Sequence, residues 1–254
     1  MSLTYLKRAI RTGEQSLSDV REIVQKILTD IKKGGDKKAL EFARKFDNYD
    51  GKIILTAEDI AEASEKVSER IKDDIQFAYE NVKKFAEAQK ATLHDFNIDI
   101  VSEFTTGQKY IPCNSVGCYI PGGRYSHVAS AIMTVTTAKV AGCSHISACS
   151  PPRPGVGINP AIIYTADLCG ADTILAMGGV QAIAAMTYGL FDLPKADILV
   201  GPGNQYVAEA KRLLFGQVGL DMVAGPTDSL ILADETADEE VVAVDLVGQA
   251  EHGY

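Results

Sequence analysis

Three polar residues near the end of the sequence have the types and spacing of half a metal site. In the stretch DLVGQAEHGY, Asp245, Gln249 and His252 recur at i, i+4 and i+7, so a helix would place them on one face. Histidine is the commonest zinc ligand, and glutamine is a rare one. The same spacing also suits a solvated helix face, with His252 favourably placed near the helix C-terminus. Spacing alone leaves both interpretations open.

Three glycine-containing turns each follow an apolar run, and their sequences are YIPGGRYSH, AMGGVQAIAA and LVGPGNQYVAEA. If the runs are strands of a parallel sheet, the turns meet at its carboxyl edge, where the N–H groups of a helix start can hold an anion. The polar residues Tyr119, Gln181 and Asn204 at these turns could contact a nucleotide cofactor. They could equally be helix caps and surface residues. None of the turns matches GxGxxG or GxxxxGK[ST].

The first turn also carries two cationic or titratable side chains, Arg124 and His127. An arginine and a histidine on one loop suit a carboxylate, a phosphate or a sulfonate group. A salt-bridged surface loop is the alternative. The turn is therefore a candidate substrate-anion site.

Composition and charge narrow the class of protein. Hydrophobic residues make up 46% and charged residues 23% of the 254, as in an ordinary globular protein. The net charge of −9 disfavours nucleic acid and anionic membranes as partners, which favours a small molecule. No apolar stretch reaches the roughly 20 residues of a membrane span, and the N-terminus lacks an apolar signal core. We expect a cytoplasmic protein.

Helical patterns dominate the first ninety residues. Ser18 is a candidate N-cap for a helix that Gly34 and Gly35 are expected to stop, and a second helix is expected from Asp36 to about Phe46. Thr56 is expected to cap a later helix. A long helix is predicted over 73–89. After Lys90, short apolar runs alternate with ten-residue helical patterns, which predicts an α/β fold with a Rossmann-like, doubly wound parallel sheet and an α-helical N-terminal region.

The last quarter of the chain is predicted to hold one further strand region and one helix. Residues 219–235 read as strand, and a helix capped near Thr236 follows. Turn residues at 122–123 and 225–226 suggest domain seams. The expected division is a helical arm over 1–25, a first α/β segment over 26–122, a second Rossmann-like domain over 123–226, and a truncated return to the first domain over 227–254.

Motifs spread over the chain resemble the N-terminal part of the histidinol dehydrogenase family. They are NSVGCYIPGG, AKVAGC, CSPP, GGVQAIAA, VGPGNQYVAEAKR, DMVAGPTD and DLVGQAEHG. The resemblance implies that NAD is contacted by Tyr119, Gln181 and Asn204. It also implies that Gln249 and His252 bind the catalytic zinc and the substrate. A family serine that contacts the substrate corresponds to Thr227, which keeps the hydroxyl.

The resemblance also implies an activity and an incomplete site. The family uses two NAD to oxidise a primary alcohol through an aldehyde to a carboxylate, and it forms homodimers. Its other two metal ligands and its general base would lie beyond Tyr254, so no catalytic base is expected in this sequence. The chain is then expected to be a fragment. An inactive NAD-binding or dimerising module is the alternative.

Two departures bear on the substrate. The residues RYSHVASAIM after PGG, and GGVQA where the family usually has GGAQA, look more like the sulfopropanediol dehydrogenase branch. Arg124 and His127 would then hold the sulfonate. L-Histidinol is the alternative substrate.

Overall fold

The N-terminal region of the protein is helical, as expected. The computed structural model describes residues 17–122, 126–223 and 229–250. Helix α1 spans Leu17–Phe42 and continues into a π-helical turn at Ala43–Asp47. Helices α2 and α3 span Ala57–Glu65 and Glu69–Lys90.

Gly34 and Gly35 interrupt the first helix, as predicted, and a second helical segment follows them. Gly35 adopts φ 58° and ψ −147°, which kinks the helix, and α1 then continues to Phe42. Glycine enters this left-handed region without a Cβ clash. Residues on both sides of the kink, including Ile31 and Ala39, are fully buried in the same core. The two helical segments therefore pack into one core despite the interruption at Gly35.

The start of α2 follows the sequence signal closely. Thr56 forms a capping box in which its Oγ1 accepts the N–H of Asp59 at 3.3 Å. Asp59 Oδ2 in turn accepts the N–H of Thr56 at 2.9 Å. The two bonds satisfy N–H groups that have no partner inside the helix. The next helix, α3, begins at Glu69, four residues before the predicted start at residue 73.

The remaining elements form a hairpin and a parallel sheet. The antiparallel hairpin pairs β1, Phe96–Val101, with β2, Phe104–Gln108. The sheet strands are β3 Ser115–Tyr119, β4 His145–Ser150, β5 Thr173–Ala176, β6 Ile198–Val200 and β7 Gly219–Leu220. After β3, helix α4 spans Val128–Ala131 and continues through a π-helical turn at Ile132–Thr136 into α5, Thr137–Ala141. The remaining helices are α6 Pro160–Leu168, α7 Gly179–Tyr188, α8 Gln205–Leu214 and α9 Glu239–Ala250.

The sheet is parallel, has the order β5-β4-β3-β6-β7, and is covered by helices on both faces. Successive residues of a strand point to opposite faces. Leu175 belongs to the core that contains α1, α7 and α8, whereas its neighbours Ile174 and Ala176 belong to the core that contains α2, α3 and α6. The predicted doubly wound α/β fold is confirmed.

The segment after α1 returns to the edge of this sheet. Ile54 forms an antiparallel bridge with Leu175 of β5. Leu55 donates its N–H to the carbonyl of Ile174 at 3.0 Å, and Ala176 donates to the carbonyl of Ile53 at 2.7 Å. This pairing carries the end of the π-helical turn, Asp47, to the carboxyl end of β5.

The strand predicted over 219–235 is mostly absent from the described residues. Only Gly219–Leu220 pairs, and Leu230 and Leu232 are 93% and 96% exposed. Alternating apolar residues form a strand only where a neighbouring strand accepts their hydrogen bonds. Residues 224–228 lie outside the described ranges.

The terminal helix has a different cap from the one predicted. Asp238 Oδ1 accepts the N–H groups of Glu240 at 2.9 Å and Val241 at 3.2 Å, so the cap lies two residues beyond Thr236. Within the described ranges, no helix combines the length and apolarity needed to cross a bilayer. The division of the chain into domain segments stays a prediction.

Candidate functional site

The site region lies where the strand order reverses. The chain leaves β3 for β4 on one side, and it later returns to place β6 on the other side of β3. Ligands of open parallel sheets bind at such a point, beyond the carboxyl ends of the strands. Gly201 follows β6 with φ 107°, and a Cβ there would lie 2.1 Å from the carbonyl oxygen of Tyr119. Only glycine allows the turns after β3 and β6 to approach this closely.

Tyr119 ties the first turn to the second. Its side chain is buried, and the residue is only 3% exposed. Its hydroxyl oxygen accepts the N–H of Gly179 at 3.1 Å, across a sequence separation of 60 residues. Burial raises the pKa of Tyr119 well above its ordinary value, so the phenol stays protonated. The hydroxyl therefore keeps a proton to donate.

Gln181 lies beneath the second turn and contacts an acidic residue from the N-terminal region. It is 1% exposed, and its Nε2 donates to Asp47 Oδ2 at 3.0 Å. The same oxygen accepts the N–H of Gly178 at 3.1 Å. Burial raises the pKa of Asp47 more than these two hydrogen bonds lower it.

Sequence reasoning missed Asp47. The residue stands in RKFDNYDG, where it resembles any solvated carboxylate at the end of a helix. Its partners Gly178 and Gln181 are 131 and 134 residues away. No spacing rule connects positions so far apart, and only the return of the chain along β5 brings them together.

Asn204 is the exposed member of the predicted cofactor set. It is the N-cap of α8, and its Oδ1 accepts the N–H groups of Tyr206 at 3.0 Å and Val207 at 3.1 Å. Its Nδ2 is the amide's donor group and takes no part in the cap. Asn204 is therefore a helix cap, and the same side chain still has a donor to offer a ligand.

A buried ion pair forms hydrogen bonds to the backbone of the third turn. Lys211 is 2% exposed, donates to the carbonyl of Gly201 at 3.0 Å and forms an ion pair with Asp221. Asp221 Oδ2 also accepts the N–H of Gly201 at 2.8 Å. Both backbone polar groups of Gly201, its N–H and its carbonyl, are thus bound to side chains, which restrains the turn.

Two helices that begin at this edge, α7 and α8, use N–H donors at their starts to bind groups of the protein. Gly178 and Gly179 donate to Asp47 and Tyr119 at the start of α7. Asn204 occupies two first-turn donors of α8. Donors used in this way cannot cradle a phosphate as an empty helix start does. The geometry favours recognition by side chains over a phosphate-binding loop.

Ser150 supplies a further polar group at the carboxyl end of β4. It is 1% exposed, and its Oγ has no hydrogen-bond partner among the described residues. Gly122 lies on the first turn, and a Cβ added to it would be 3.1 Å from this Oγ. A buried hydroxyl without a partner is costly, so a ligand donor or acceptor beside Gly122 would satisfy it.

The other predicted site residues are only partly described. His127 is half-buried at the N-cap position of α4, and its carbonyl accepts the N–H of Ser130 at 3.1 Å. Gln249 is half-buried in α9. Arg124, Thr227 and His252 lie outside the described residues. The structure thus brings Tyr119 and Gln181 together through the second turn, with Asn204 on a neighbouring turn.

The described part of the chain does not by itself form a metal site. Within the described ranges, no group of three or more His, Cys, Asp or Glu side chains could hold a metal ion. Asp245, which shares a predicted helix face with Gln249, is exposed on α9. Of the two predicted zinc ligands, the structure describes Gln249 alone.

Comparisons with known proteins are consistent over nearly the whole chain. The family model described as histidinol dehydrogenase matches residues 10–254. A sulfopropanediol 3-dehydrogenase of Ruegeria pomeroyi is 65% identical over 254 residues, which is 100% of this chain and 58% of the relative. A histidinol dehydrogenase homolog of Pelagibacter ubique is 57% identical over 100% of this chain and 60% of the relative.

A solved structure agrees with the fold. The crystal structure of histidinol dehydrogenase from Elizabethkingia anophelis superposes with a TM-score of 0.85 at 38% identity, over 97% of this chain and 56% of that chain. A histidinol dehydrogenase of Methanococcus maripaludis is 39% identical over 96% of this chain and 57% of the relative. The chain therefore spans a little under two thirds of the length of these relatives.

Proposed function

Because this chain belongs to the histidinol dehydrogenase family, we propose that it acts as a NAD-dependent, zinc-requiring dehydrogenase that oxidises a primary alcohol through an aldehyde to a carboxylate. The observation that carries the proposal is the 65% identity to a sulfopropanediol 3-dehydrogenase over the whole chain. In this chemistry a nicotinamide supplies the hydride acceptor and a zinc ion supplies a Lewis acid. The residues of this chain hold and orient these groups.

The cofactor part of the proposal rests on the carboxyl edge of the sheet. The exposed amide of Asn204 offers a donor, and the hydroxyl of Ser150, which has no hydrogen-bond partner among the described residues, offers a second polar group at the same edge. Tyr119 and Gln181 lie beneath these groups and hold the second turn in place. Hydroxyls and carboxamides of a dinucleotide suit such a set of uncharged side chains.

Asn204→Asp tests the cofactor role without removing the helix cap. Aspartate keeps the oxygen that accepts the N–H groups of α8 and lacks the amide donor, so the free energy of unfolding should change by less than about 0.5 kcal/mol. The dissociation constant for NAD, measured by isothermal titration calorimetry, should rise about tenfold.

The matched control is Asn159→Asp. Asn159 caps α6 by accepting the N–H of Ala161 at 2.9 Å, and it belongs to no predicted site. Its variant should bind NAD as the wild type does. An unchanged NAD affinity in Asn204→Asp would remove Asn204 from the cofactor site. Failure of the wild-type protein to bind NAD at all would refute the proposed function.

We propose a sulfopropanediol as the substrate in preference to L-histidinol. The two alcohols differ in charge at neutral pH, since one carries a sulfonate anion and the other an ammonium group. Arg124 and His127 follow β3 in the sequence, and an arginine is always positively charged. A guanidinium binds an oxyanion through paired hydrogen bonds and repels an ammonium.

The proposed substrate is tested by measuring how fast the polypeptide, as the cell makes it, oxidises each of the two alcohols. We expect NADH formation with the sulfopropanediol and at least about tenfold lower kcat/KM with L-histidinol, which corresponds to about 1.4 kcal/mol. Arg124→Ala should raise KM for the sulfonate, whereas the control Arg70→Ala, on the exposed surface of α3, should not. Faster turnover of L-histidinol would favour a histidinol dehydrogenase.

The zinc part of the proposal rests on Gln249 and His252. An imidazole nitrogen is a common zinc ligand, and further ligands are needed to complete a tetrahedral site. Metal analysis of the purified protein should find about one zinc per chain. Gln249→Ala should lower that content while the far-ultraviolet circular dichroism stays unchanged. Full zinc content in this variant would exclude Gln249 as a ligand.

We also propose a homodimer, supported by the exposed apolar hairpin. Phe96, Ile98 and Ile100 of β1 and Phe104 of β2 are each between 47% and 58% exposed. A contiguous apolar patch of this kind marks an interaction surface. Ile98→Asp should give monomers in sedimentation velocity, and Val156→Asp, on another exposed apolar residue, should not. A monomeric wild-type protein would refute the proposal.

A further inference from the structure

Asp47 accepts two hydrogen bonds from the second turn, although it lies more than a hundred residues earlier in the sequence. Its Oδ2 accepts the N–H of Gly178 at 3.1 Å and the Nε2 of Gln181 at 3.0 Å. The carboxyl group is partly buried and lies close enough to Tyr119 to raise the pKa of that phenol. Asp47 is thus part of the hydrogen-bond network around the predicted cofactor residues.

These contacts determine which way the amide of Gln181 faces. A carboxylate accepts hydrogen bonds and donates none, so the amide must turn its NH₂ group toward Asp47. The Oε1 of Gln181 then points away from Asp47. A Cβ added to Gly179 would be 3.0 Å from this oxygen. The acceptor oxygen of the amide is therefore held beside the turn. An amide without this anchor could rotate by half a turn and present a donor instead.

The turn itself has little room to shift. A Cβ at Gly178 would lie 2.6 Å from Pro151 Cγ and 3.1 Å from Asp47 Oδ1. On the other side, the hydroxyl of Tyr119 holds the N–H of Gly179. Ala43, at the start of the π-helical turn that carries Asp47, is 1% exposed and packs in the core. The carboxylate is therefore supported by a well-packed element.

We propose that Asp47 is a positioning residue of the cofactor site, which orients the amide of Gln181 and the peptide of Gly178 so that the second turn presents an acceptor to a hydroxyl or carboxamide donor of the dinucleotide. The inference rests on the proposed NAD-dependent function. Asp47 acts through Gln181 and does not touch the cofactor. Its removal should weaken NAD binding and leave the chemical step unchanged.

A double-mutant cycle separates this role from general stability. Asp47→Ala should raise the dissociation constant for NAD about tenfold, and Gln181→Ala should raise it by a similar factor. If Asp47 acts through Gln181, the double variant should bind NAD no more weakly than Gln181→Ala does. In steady-state assays, Asp47→Ala should raise KM for NAD and leave kcat at saturating NAD within about twofold.

Asp197 provides a matched control on the opposite edge of the sheet. Its Oδ2 also accepts two N–H groups, those of Asn114 at 2.8 Å and Ser115 at 3.0 Å. Asp197→Ala removes the same kind of contact from the amino end of β3. It should lower the free energy of unfolding and leave the dissociation constant for NAD of the folded protein within about twofold.

Asp47→Asn should restore most of the lost affinity. The asparagine oxygen can accept from both Gly178 and Gln181, and burial raises the pKa of Asp47, so the site tolerates a neutral side chain. Additive effects in the cycle, an equal loss in Asp197→Ala, or normal NAD binding by Gln181→Ala would each overturn the inference while the proposed function stands. A wild-type protein that binds no NAD would overturn both.

Discussion

Removal of Asp221 should destabilise the protein more than removal of its partner Lys211. The two side chains form an ion pair behind the turn at Gly201, and their environments differ. The side chain of Lys211 is 3% exposed and that of Asp221 is 31% exposed. In Asp221→Ala, the lysine ammonium stays buried and keeps its hydrogen bond to the carbonyl of Gly201. The unpaired charge then opposes folding.

The loss of stability in each variant depends on which charged or polar group remains without its partner. Loss of one partner from a buried ion pair costs about 3–5 kcal/mol, because the remaining charge is uncompensated. Lys211→Met replaces the buried ammonium with an apolar chain of similar length. The carboxylate of Asp221 keeps the N–H groups of Gly201 at 2.8 Å and Met222 at 2.6 Å and retains contact with water. We therefore expect a loss of about 1–2 kcal/mol for this variant.

Urea unfolding followed by circular dichroism measures these differences. The double variant Lys211→Met/Asp221→Ala should be more stable than Asp221→Ala alone, with a coupling energy of about 2 kcal/mol. Lys66→Met is the control, because Lys66 pairs with Glu62 on the surface with side chains 58% and 66% exposed. An exposed pair of this kind contributes less than about 1 kcal/mol.

The order of the variants tests the reasoning. If Lys211→Met proves as destabilising as Asp221→Ala, the buried charge does not control the stability of this turn. The same conclusion follows if the double variant is the least stable of the three. In either case the two side chains would contribute through packing alone.

Three further outcomes are expected. Thr56→Ala removes the oxygen that caps α2, so the free energy of unfolding in urea should fall by about 1 kcal/mol. Burial raises the pKa of Cys118 to about 12, so iodoacetamide at pH 8 should modify exposed Cys113 and spare Cys118, as read by peptide mass spectrometry. Because burial raises the pKa of Asp47, the folded state holds that proton more tightly than the unfolded state does. The stability of the wild type relative to Asp47→Asn should therefore fall as pH rises above 3.8, in urea titrations at a series of pH values.

Clear results would contradict each of these expectations. An unchanged urea midpoint in Thr56→Ser and Thr56→Ala alike would show that the cap oxygen is not stabilising. Rapid alkylation of Cys118 in the native protein would show that its surroundings open. A stability difference between the wild type and Asp47→Asn that does not vary with pH would mean that Asp47 titrates alike in the folded and unfolded states.

The sequence by itself determined many local elements and the parallel character of the sheet, whereas the strand order came from the structure. The cap at Thr56 was predicted correctly, and the cap at Asn204 was one of two alternatives that the sequence left open, because each depends on hydrogen bonds within a few residues. Apolar runs alternating with helical patterns indicated the parallel sheet. Motifs at family-like spacing indicated the family.

Tertiary structure decided the features that depend on distant parts of the chain. The sequence predicted the interruption of α1 at Gly35, and tertiary structure decided that the segments on both sides of it pack into one core. Leu230 and Leu232 belong to an apolar run that was predicted as strand, but they remain exposed, and no strand of the described residues pairs with them. Asp47 reaches Gln181 only because residues 53–55 return along β5. Periodicity and capping report short-range interactions, whereas contacts between residues more than a hundred positions apart depend on how the whole chain packs.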